Sequence, residues 1–228
     1  MNYLIIGAGS GIGMELKDSL LKKGHNVWAT YNQSIIQEKE GLLVQKLNVL
    51  DDEVTLQLPE ILHGFVYCPG AINLAPFHRI KPDDFTKDYQ LQVIGAIKTL
   101  QHALPNLKKG GGSVVFFSTV AVGTGFNYHS CVSSSKGAIE GLTRALSAEF
   151  APKIRVNCIA PSLTETPLSE KFLNSDLKRE ANSKRHPLQR VGSIKDIVNG
   201  AEFLLDNENS WITGQVLKID GGISTIKD

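Results

Sequence analysis

The sequence predicts an α/β protein with a doubly wound, mostly parallel sheet of seven strands and helices on both faces. Short apolar runs alternate with longer segments of helical periodicity along the chain. The first apolar run leads directly into a glycine-rich turn and then a helical pattern, which is typical of parallel sheets with a ligand crevice at the carboxyl ends of their strands. At 228 residues the chain suits a single domain, residues 1–228.

The first unit is a strand, a glycine-rich turn and a helix. Residues 3–6 are apolar and include two isoleucines, so they predict a buried strand. The following glycines fit the spacing GxxxGxG, and helical periodicity continues to a stop at Gly24. Such a turn places backbone N–H groups and a positive helix end against a phosphate. The candidate phosphate-binding residues are Gly7, Ser10, Gly11, Ile12 and Gly13.

The later elements follow from the same patterns. Further strands are predicted at residues 25–30, 41–47, 64–67, 113–117, 154–159 and 215–219. Helices are predicted at residues 82–107, 131–150 and 194–205, with a brief helix after Asp51 and Asp52 that Pro59 breaks. Residues 160–190 are rich in proline and polar groups, which predicts a mobile lid over the crevice.

Composition excludes several classes of function. The formal net charge of +1 provides no field to attract nucleic acid or anionic lipid. Apolar runs fall well short of the roughly 20 residues of a membrane span, and the first strand begins without a signal peptide before it. The three cysteines form no CxxC pair and the six histidines have no ligand spacing, which disfavours a disulfide framework, a metal site and a metal-dependent hydrolase. We expect a cytoplasmic protein that acts on a small molecule.

Four segments together resemble the short-chain dehydrogenase/reductase family. They are the GxxxGxG loop, the helix at residues 134–146, the strand and turn at residues 154–161, and the closing segment at residues 211–222. The likeness runs along essentially the whole chain. It implies a Rossmann-type fold, a nicotinamide dinucleotide and reversible reduction of a carbonyl group. It also implies a homodimer or homotetramer that pairs two long helices and the C-terminal segment.

The resemblance breaks where the chemistry is expected. The family uses a YxxxK motif, in which the phenol is the general acid/base and the lysine charge lowers its pKa. Lys136 matches the lysine, but Val132 occupies the tyrosine position. Thr119, with Ser118 beside it, falls where the family has a serine that binds the substrate oxygen, and either hydroxyl could serve. The asparagine of the family's NxxG becomes Gln92.

Two hypotheses account for the missing tyrosine. In the first, a substitute acid serves, and Tyr128 or His129 lies just upstream of the helix that carries Lys136. The alternative role for Tyr128 is simple packing at the mouth of the crevice. In the second hypothesis, the protein keeps the dinucleotide site without redox chemistry and acts as a sensor or partner-binding module. We favour the enzyme, by analogy with the family.

The remaining candidate residues concern the cofactor. Tyr31 and Asn32 stand where NAD-specific relatives have an aspartate that repels a 2′-phosphate, so NADP(H) is favoured over NAD(H). By resemblance, Asn48 contacts adenine, although a turn role is equally compatible. Lys136 also binds the nicotinamide ribose by resemblance. The other positions that the resemblance assigns to the cofactor are Gly70, in the turn after the fourth strand, and Pro161 and Thr166 of a PGxxxT-like segment, where Ser162 replaces the glycine and Thr166 could instead cap a helix.

Overall fold

The computed structural model describes residues 1–226, so the last two residues of the predicted domain lie outside the described part. Within it, seven strands form one parallel sheet in the order β3-β2-β1-β4-β5-β6-β7. The predicted fold class is confirmed, and each strand begins and ends within two residues of its expected bounds. The strands are β1 (Asn2–Ile6), β2 (Asn26–Tyr31), β3 (Leu42–Lys46), β4 (Gly64–Tyr67), β5 (Ser113–Phe117), β6 (Arg155–Pro161) and β7 (Val216–Ile219).

Helices cover both faces of the sheet. One face packs against α1 (Gly11–Lys22) and α6 (Ile194–Leu205), which also contact each other. The other face packs against α3 (Gly95–Gly110) and α4 (Ser130–Phe150), while α2 (Pro82–Tyr89) contacts α4. The short helix α5 (Asp176–Lys184) follows β6.

Alternating side chains on each strand supply the two cores. In β1, Leu4 and Ile6 are buried toward α3 and α4, and Tyr3 and Ile5 are buried toward α1 and α6. Because both faces of a parallel sheet are covered, its strands read as continuous apolar runs and not as alternating ones. This explains why the strands could be located from the sequence.

The long helix predicted at residues 82–107 is interrupted. Between α2 and α3 lies one π-helical turn, Gln90–Ile94, and the helix then continues to Gly110. The Tyr67 hydroxyl donates to the Leu91 carbonyl oxygen in this turn at 2.5 Å. A π-helical turn frees backbone groups and is frequent at functional sites.

The brief helix predicted after Asp51 and Asp52 is wrong, since residues 53–59 form no helix. The side chain of Gln45 on β3 satisfies the backbone there in its place. Its Oε1 accepts from the Gln57 N–H at 2.6 Å, and its Nε2 donates to the Gln57 carbonyl at 2.9 Å. Leu56 is buried in the core that packs against α3 and α4, although the residues around it form neither helix nor strand.

The segment predicted as a lid contains two short helices. A 3-10 helix spans Pro167–Phe172, and α5 follows it. The Lys171 ammonium donates to the Ile72 carbonyl at 3.1 Å, which ties this segment to the loop after β4. We retain its mobility as a prediction.

Candidate active site

A cavity of about 440 Å³ opens at the carboxyl ends of the strands. Its walls come from the loops after β4 and β5, from α4, and from the segment after β6. Because the strand order reverses between β1 and β4, this edge is where a doubly wound sheet binds ligands.

The glycine-rich loop after β1 forms a compact turn beside this cavity. Gly7 has a φ of +79°, and its N–H donates to Thr30 Oγ1 at 3.0 Å. A Cβ on Gly13 would collide with the Gly7 carbonyl oxygen, so only glycine permits this packing of α1. Ser10 caps α1 without a side-chain hydrogen bond, and the first turn of this helix has no acidic residue. The free N–H groups at this helix end therefore fit a dinucleotide phosphate.

The segment after β6 meets the glycine loop. A Cβ on Gly11 would lie 3.9 Å from Thr166 Cβ and 3.7 Å from Pro167 Cδ, so the two predicted cofactor segments are adjacent. Pro161 ends β6 and lines the cavity. Thr166 also takes the alternative role, since it caps the 3-10 helix and its N–H donates to Ser169 Oγ at 3.0 Å.

The predicted adenine side lies at the ends of β2 and β3. Tyr31 ends β2, and Asn32 follows it. A Cβ on Gly9 would lie 2.9 Å from the Ser34 carbonyl, which brings the segment after β2 close to the glycine loop. Asn48 forms a turn: its Nδ2 donates to Asp51 Oδ1 at 2.7 Å, and its Oδ1 accepts from the Leu50 N–H at 3.2 Å. Asn48 therefore has the turn role, and its contact with adenine stays a prediction.

Lys136 reaches the inner end of the cavity from α4. Its ammonium donates to the Phe117 carbonyl at 2.9 Å, at the end of β5. Desolvation lowers the pKa of Lys136 to about 8, although Cys158, Asp88 and Cys68 act in the opposite direction. A lysine with this pKa changes charge close to neutral pH.

The two candidate hydroxyls at the end of β5 differ in their partners. The Ser118 hydroxyl donates to Glu140 Oε1 at 2.8 Å, so its proton is already used. Thr119 Oγ1 accepts from the Ala121 N–H at 3.3 Å, which leaves its own proton available. Both residues line the cavity, but Thr119 is the better donor to a substrate oxygen.

The structure does not bring Tyr128 to the cavity. This residue is 57 % exposed, has a φ of +71° and is not among the lining residues. The next residue, His129, does line the cavity. Its Nδ1 lies 2.8 Å from the Asn127 carbonyl, which can only accept, so Nδ1 carries a proton and Nε2 remains for exchange. His129, Val132 and Lys136 follow at helical spacing on the cavity side of α4.

Gln92 points an unpaired acceptor at this region. Its Nε2 donates to Asp88 Oδ2 at 2.7 Å, which directs Oε1 away from that carboxylate. Oε1 is buried without a hydrogen-bond partner, and a Cβ on Gly70 would lie 3.4 Å from it and 3.7 Å from Lys136 Nζ. Gly70 therefore leaves room beside both side chains.

Comparison with known proteins identifies the family. A family model described as enoyl-(acyl carrier protein) reductase matches residues 7–224. A tropinone reductase homolog from Arabidopsis thaliana is 31% identical over 98% of this chain and 79% of its own length. The 3-oxoacyl-(acyl-carrier-protein) reductase FabG from Thermotoga maritima is 31% identical, with 96% of each chain covered. A solved structure of ElxO with NADP bound has a TM-score of 0.87 and 27% identity, and covers 99% of both chains.

The chain belongs to the short-chain dehydrogenase/reductase family. It is therefore assigned to a group of NAD(P)-dependent oxidoreductases with a Rossmann-type fold. Among the described residues no helix is long and apolar enough to cross a membrane. Residues 1–226 also contain no cluster of three or more side chains suited to hold a metal ion.

Two features of this site were missed from the sequence. Asp88 lies four residues before Gln92 on the same helical face, and that spacing of a carboxylate and an amide was an available signal. The second is a pair formed by the half-buried Ser162 and the buried His186: Ser162 Oγ lies 2.8 Å from His186 Nε2, and His186 Nδ1 lies 2.8 Å from the Asn182 carbonyl. This pair joins the end of β6 to the segment after α5, and no local pattern signals it.

Proposed function

We propose that this protein is an NADP(H)-dependent reductase of carbonyl compounds, working reversibly on the matching alcohols. The observation that carries the proposal is that Thr119, His129 and Lys136 line one and the same cavity, next to the glycine loop. A hydroxyl, an imidazole and an ammonium group supply the hydrogen bond, the proton and the positive charge that carbonyl reduction needs.

In the proposed reduction, the Thr119 hydroxyl donates a hydrogen bond to the carbonyl oxygen. The dinucleotide, when bound, supplies the hydride that adds to the carbonyl carbon. His129 enters this step as the imidazolium ion and gives the proton on Nε2 to the resulting oxyanion, while the Nδ1 proton stays bonded to the Asn127 carbonyl. Lys136 keeps positive charge beside the reacting atoms and binds the nicotinamide ribose. Oxidation of the alcohol runs the same proton transfer in reverse.

His129 takes the role first predicted for Tyr128, because the imidazole lines the cavity and the phenol does not. Imidazole is also the side chain most often used for proton transfer in enzymes. Val132 is 5 % exposed and lies three residues beyond His129, which is the N-cap of α4, so we place the proton donor at the N-terminal end of this helix.

NADPH oxidation over a panel of aldehydes and ketones tests this proposal. We expect His129→Gln to lower kcat by about 100-fold or more, the usual contribution of general acid catalysis. Tyr128→Phe is the matched control beside it and is expected to keep wild-type kcat. Equal activity of His129→Gln and wild type would overturn the role of His129.

A second candidate function is dinucleotide binding without redox chemistry, which the apolar Val132 in the tyrosine position favours. In that case the wild-type protein binds NADPH, reduces none of the panel, and Val132→Tyr gains activity.

We also propose a homodimer or homotetramer located in the cytoplasm, in keeping with the assemblies that the family resemblance implies.

A further inference from the structure

Three cations stand at the mouth of the cavity, and each contacts neutral groups. Lys171, Lys178 and Arg185 all line the cavity from the segment after β6. Their hydrogen-bond acceptors are neutral oxygens: the Ile72 carbonyl at 3.1 Å from Lys171, Asn174 Oδ1 at 2.9 Å from Lys178, and Asn182 Oδ1 at 3.3 Å from Arg185. In addition, Lys171 lies over the ring of Phe172 and Arg185 lies over the ring of Phe126.

Cations of the same segment that lie outside the cavity lining have acidic partners. Arg179 pairs with Glu165, and Lys184 pairs with Glu180 at 2.6 Å. In contrast, no aspartate or glutamate is among the described residues that line the cavity. The segment therefore neutralises its outward cations and leaves positive charge at the cavity mouth.

The wall near Thr119 and Lys136 includes apolar side chains. Phe117 and Val120 lie within two residues of Thr119, Val132 lies one helical turn before Lys136, and all three line the cavity. A ligand that fills this space has an apolar body and a carbonyl group at the inner end. At the mouth, a negative group would form charge-assisted hydrogen bonds with ammonium and guanidinium donors, which are stronger than bonds between neutral groups.

Resting on the proposed carbonyl reduction, we propose that the substrates are anionic: ketones or aldehydes with a carboxylate or phosphate group at the end remote from the carbonyl. Lys171, Lys178 and Arg185 bind that anion, and they set the specificity of the site. Carboxylate and phosphate share the needed chemistry, and separate ligands in the test distinguish them.

Binding to the protein saturated with oxidised NADP⁺ tests this without turnover, because NADP⁺ cannot reduce a ketone. The probes are straight-chain keto acids of increasing length, their methyl esters, and hydroxyketone phosphates, measured by titration calorimetry. We expect an acid or a phosphate to bind at least about tenfold more tightly than its neutral counterpart, and added salt to reduce this preference. Equal affinity of anionic and neutral probes across the series would overturn the proposal.

Variants then locate the anion. Lys178→Gln and Arg185→Gln are expected to remove most of the preference for the acid while ester binding stays unchanged. Lys184→Gln is the matched control, since it removes a cation of the same helix whose partner is Glu180. Loss of NADP⁺ affinity with an unchanged acid preference would show that these cations serve the cofactor, and would overturn the proposal. An inert protein that still prefers acids would refute only the proposed reduction.

Discussion

At the scale of single residues, Lys136 places a buried ammonium group at the wall of the cavity. Its ammonium is held by the Phe117 carbonyl and lies near Gly70 and Gln92. Burial disfavours the charged form of this ammonium group and lowers the pKa of Lys136 to about 8, well below the ordinary 10.5. The proposed cofactor role of Lys136 and the stability of the fold thus depend on the same side chain.

The first prediction concerns this link. Between pH 8 and 10.5 the unfolded chain binds more protons at Lys136 than the folded protein does, so unfolding becomes less favourable as pH rises. The unfolding free energy of the wild type, relative to Lys136→Met, should rise by at most about 1.4 kcal/mol per pH unit in this window. Urea denaturation of both proteins without cofactor measures the difference. A difference that is constant from pH 7 to 10 would contradict the assigned pKa.

Cofactor preference gives a second prediction at the residue scale. Tyr31 ends β2, where a carboxylate would face a 2′-phosphate. Tyr31→Asp is expected to weaken NADPH binding at least about tenfold through like-charge repulsion, with little change for NADH. Titration of tryptophan fluorescence with each dinucleotide measures both constants, and Tyr31→Asn controls for loss of the ring. An unchanged NADPH affinity would remove Tyr31 from the adenosine site.

At the scale of elements, the π-helical turn Gln90–Ile94 connects the core to the cavity. The Tyr67 hydroxyl enters this turn and binds the Leu91 carbonyl, and the missing side chain of Gly95 leaves room for it. The same turn carries Gln92, whose Oε1 is the buried free acceptor. Helix irregularity here is therefore a result of side-chain packing and not of a helix-breaking residue.

A third prediction follows for this turn. Gly95→Ala should lower the unfolding free energy by roughly 1–3 kcal/mol, because the added Cβ would overlap the Tyr67 hydroxyl oxygen. Chemical denaturation measures this loss.

The double variant with Tyr67→Phe provides the control. Removing the hydroxyl relieves the overlap, so Gly95→Ala should cost less in the Tyr67→Phe background than in the wild type. Additive effects of the two substitutions would mean that the hydroxyl and Gly95 do not constrain each other.

At the scale of the whole molecule, the candidate site lies at the carboxyl ends of the strands, and large aromatic side chains are exposed to solvent elsewhere on the surface. Trp211 is 99 % exposed, in the segment just before β7 that the family resemblance assigns to subunit pairing. Phe203 on α6 is 44 % exposed. Large exposed aromatic side chains are typical anchors of protein interfaces.

The fourth prediction is that Trp211 stabilises the assembly. Light scattering after size-exclusion chromatography should give two or four times the mass of one chain for the wild type and a smaller species for Trp211→Ser. Leu177→Ser is the matched control, because Leu177 is 79 % exposed on α5 and lies outside the C-terminal segment. A wild-type protein that is monomeric at micromolar concentration would refute the proposed oligomer.

Sequence patterns located what depends on local backbone and on periodic burial. The strands, the glycine loop and α4 were predicted to within a few residues, since buried parallel strands and GxxxGxG turns have local signatures. The π-helical turn and the irregular segment after Asp52 were not predicted. Both result from side chains distant in sequence, Tyr67 and Gln45, which take over backbone hydrogen bonds.

The sequence by itself determined the fold class and located the glycine loop and Lys136, and it predicts that Val132 occupies the position of the expected acid. Only the tertiary structure decided which neighbour of that position lines the cavity. Tyr128 and His129 are adjacent in sequence, but the positive φ of Tyr128 and the start of α4 turn the phenol to solvent and bring the imidazole to the wall. A side chain's direction depends on backbone geometry and on packing between distant segments, and composition and spacing do not encode it locally.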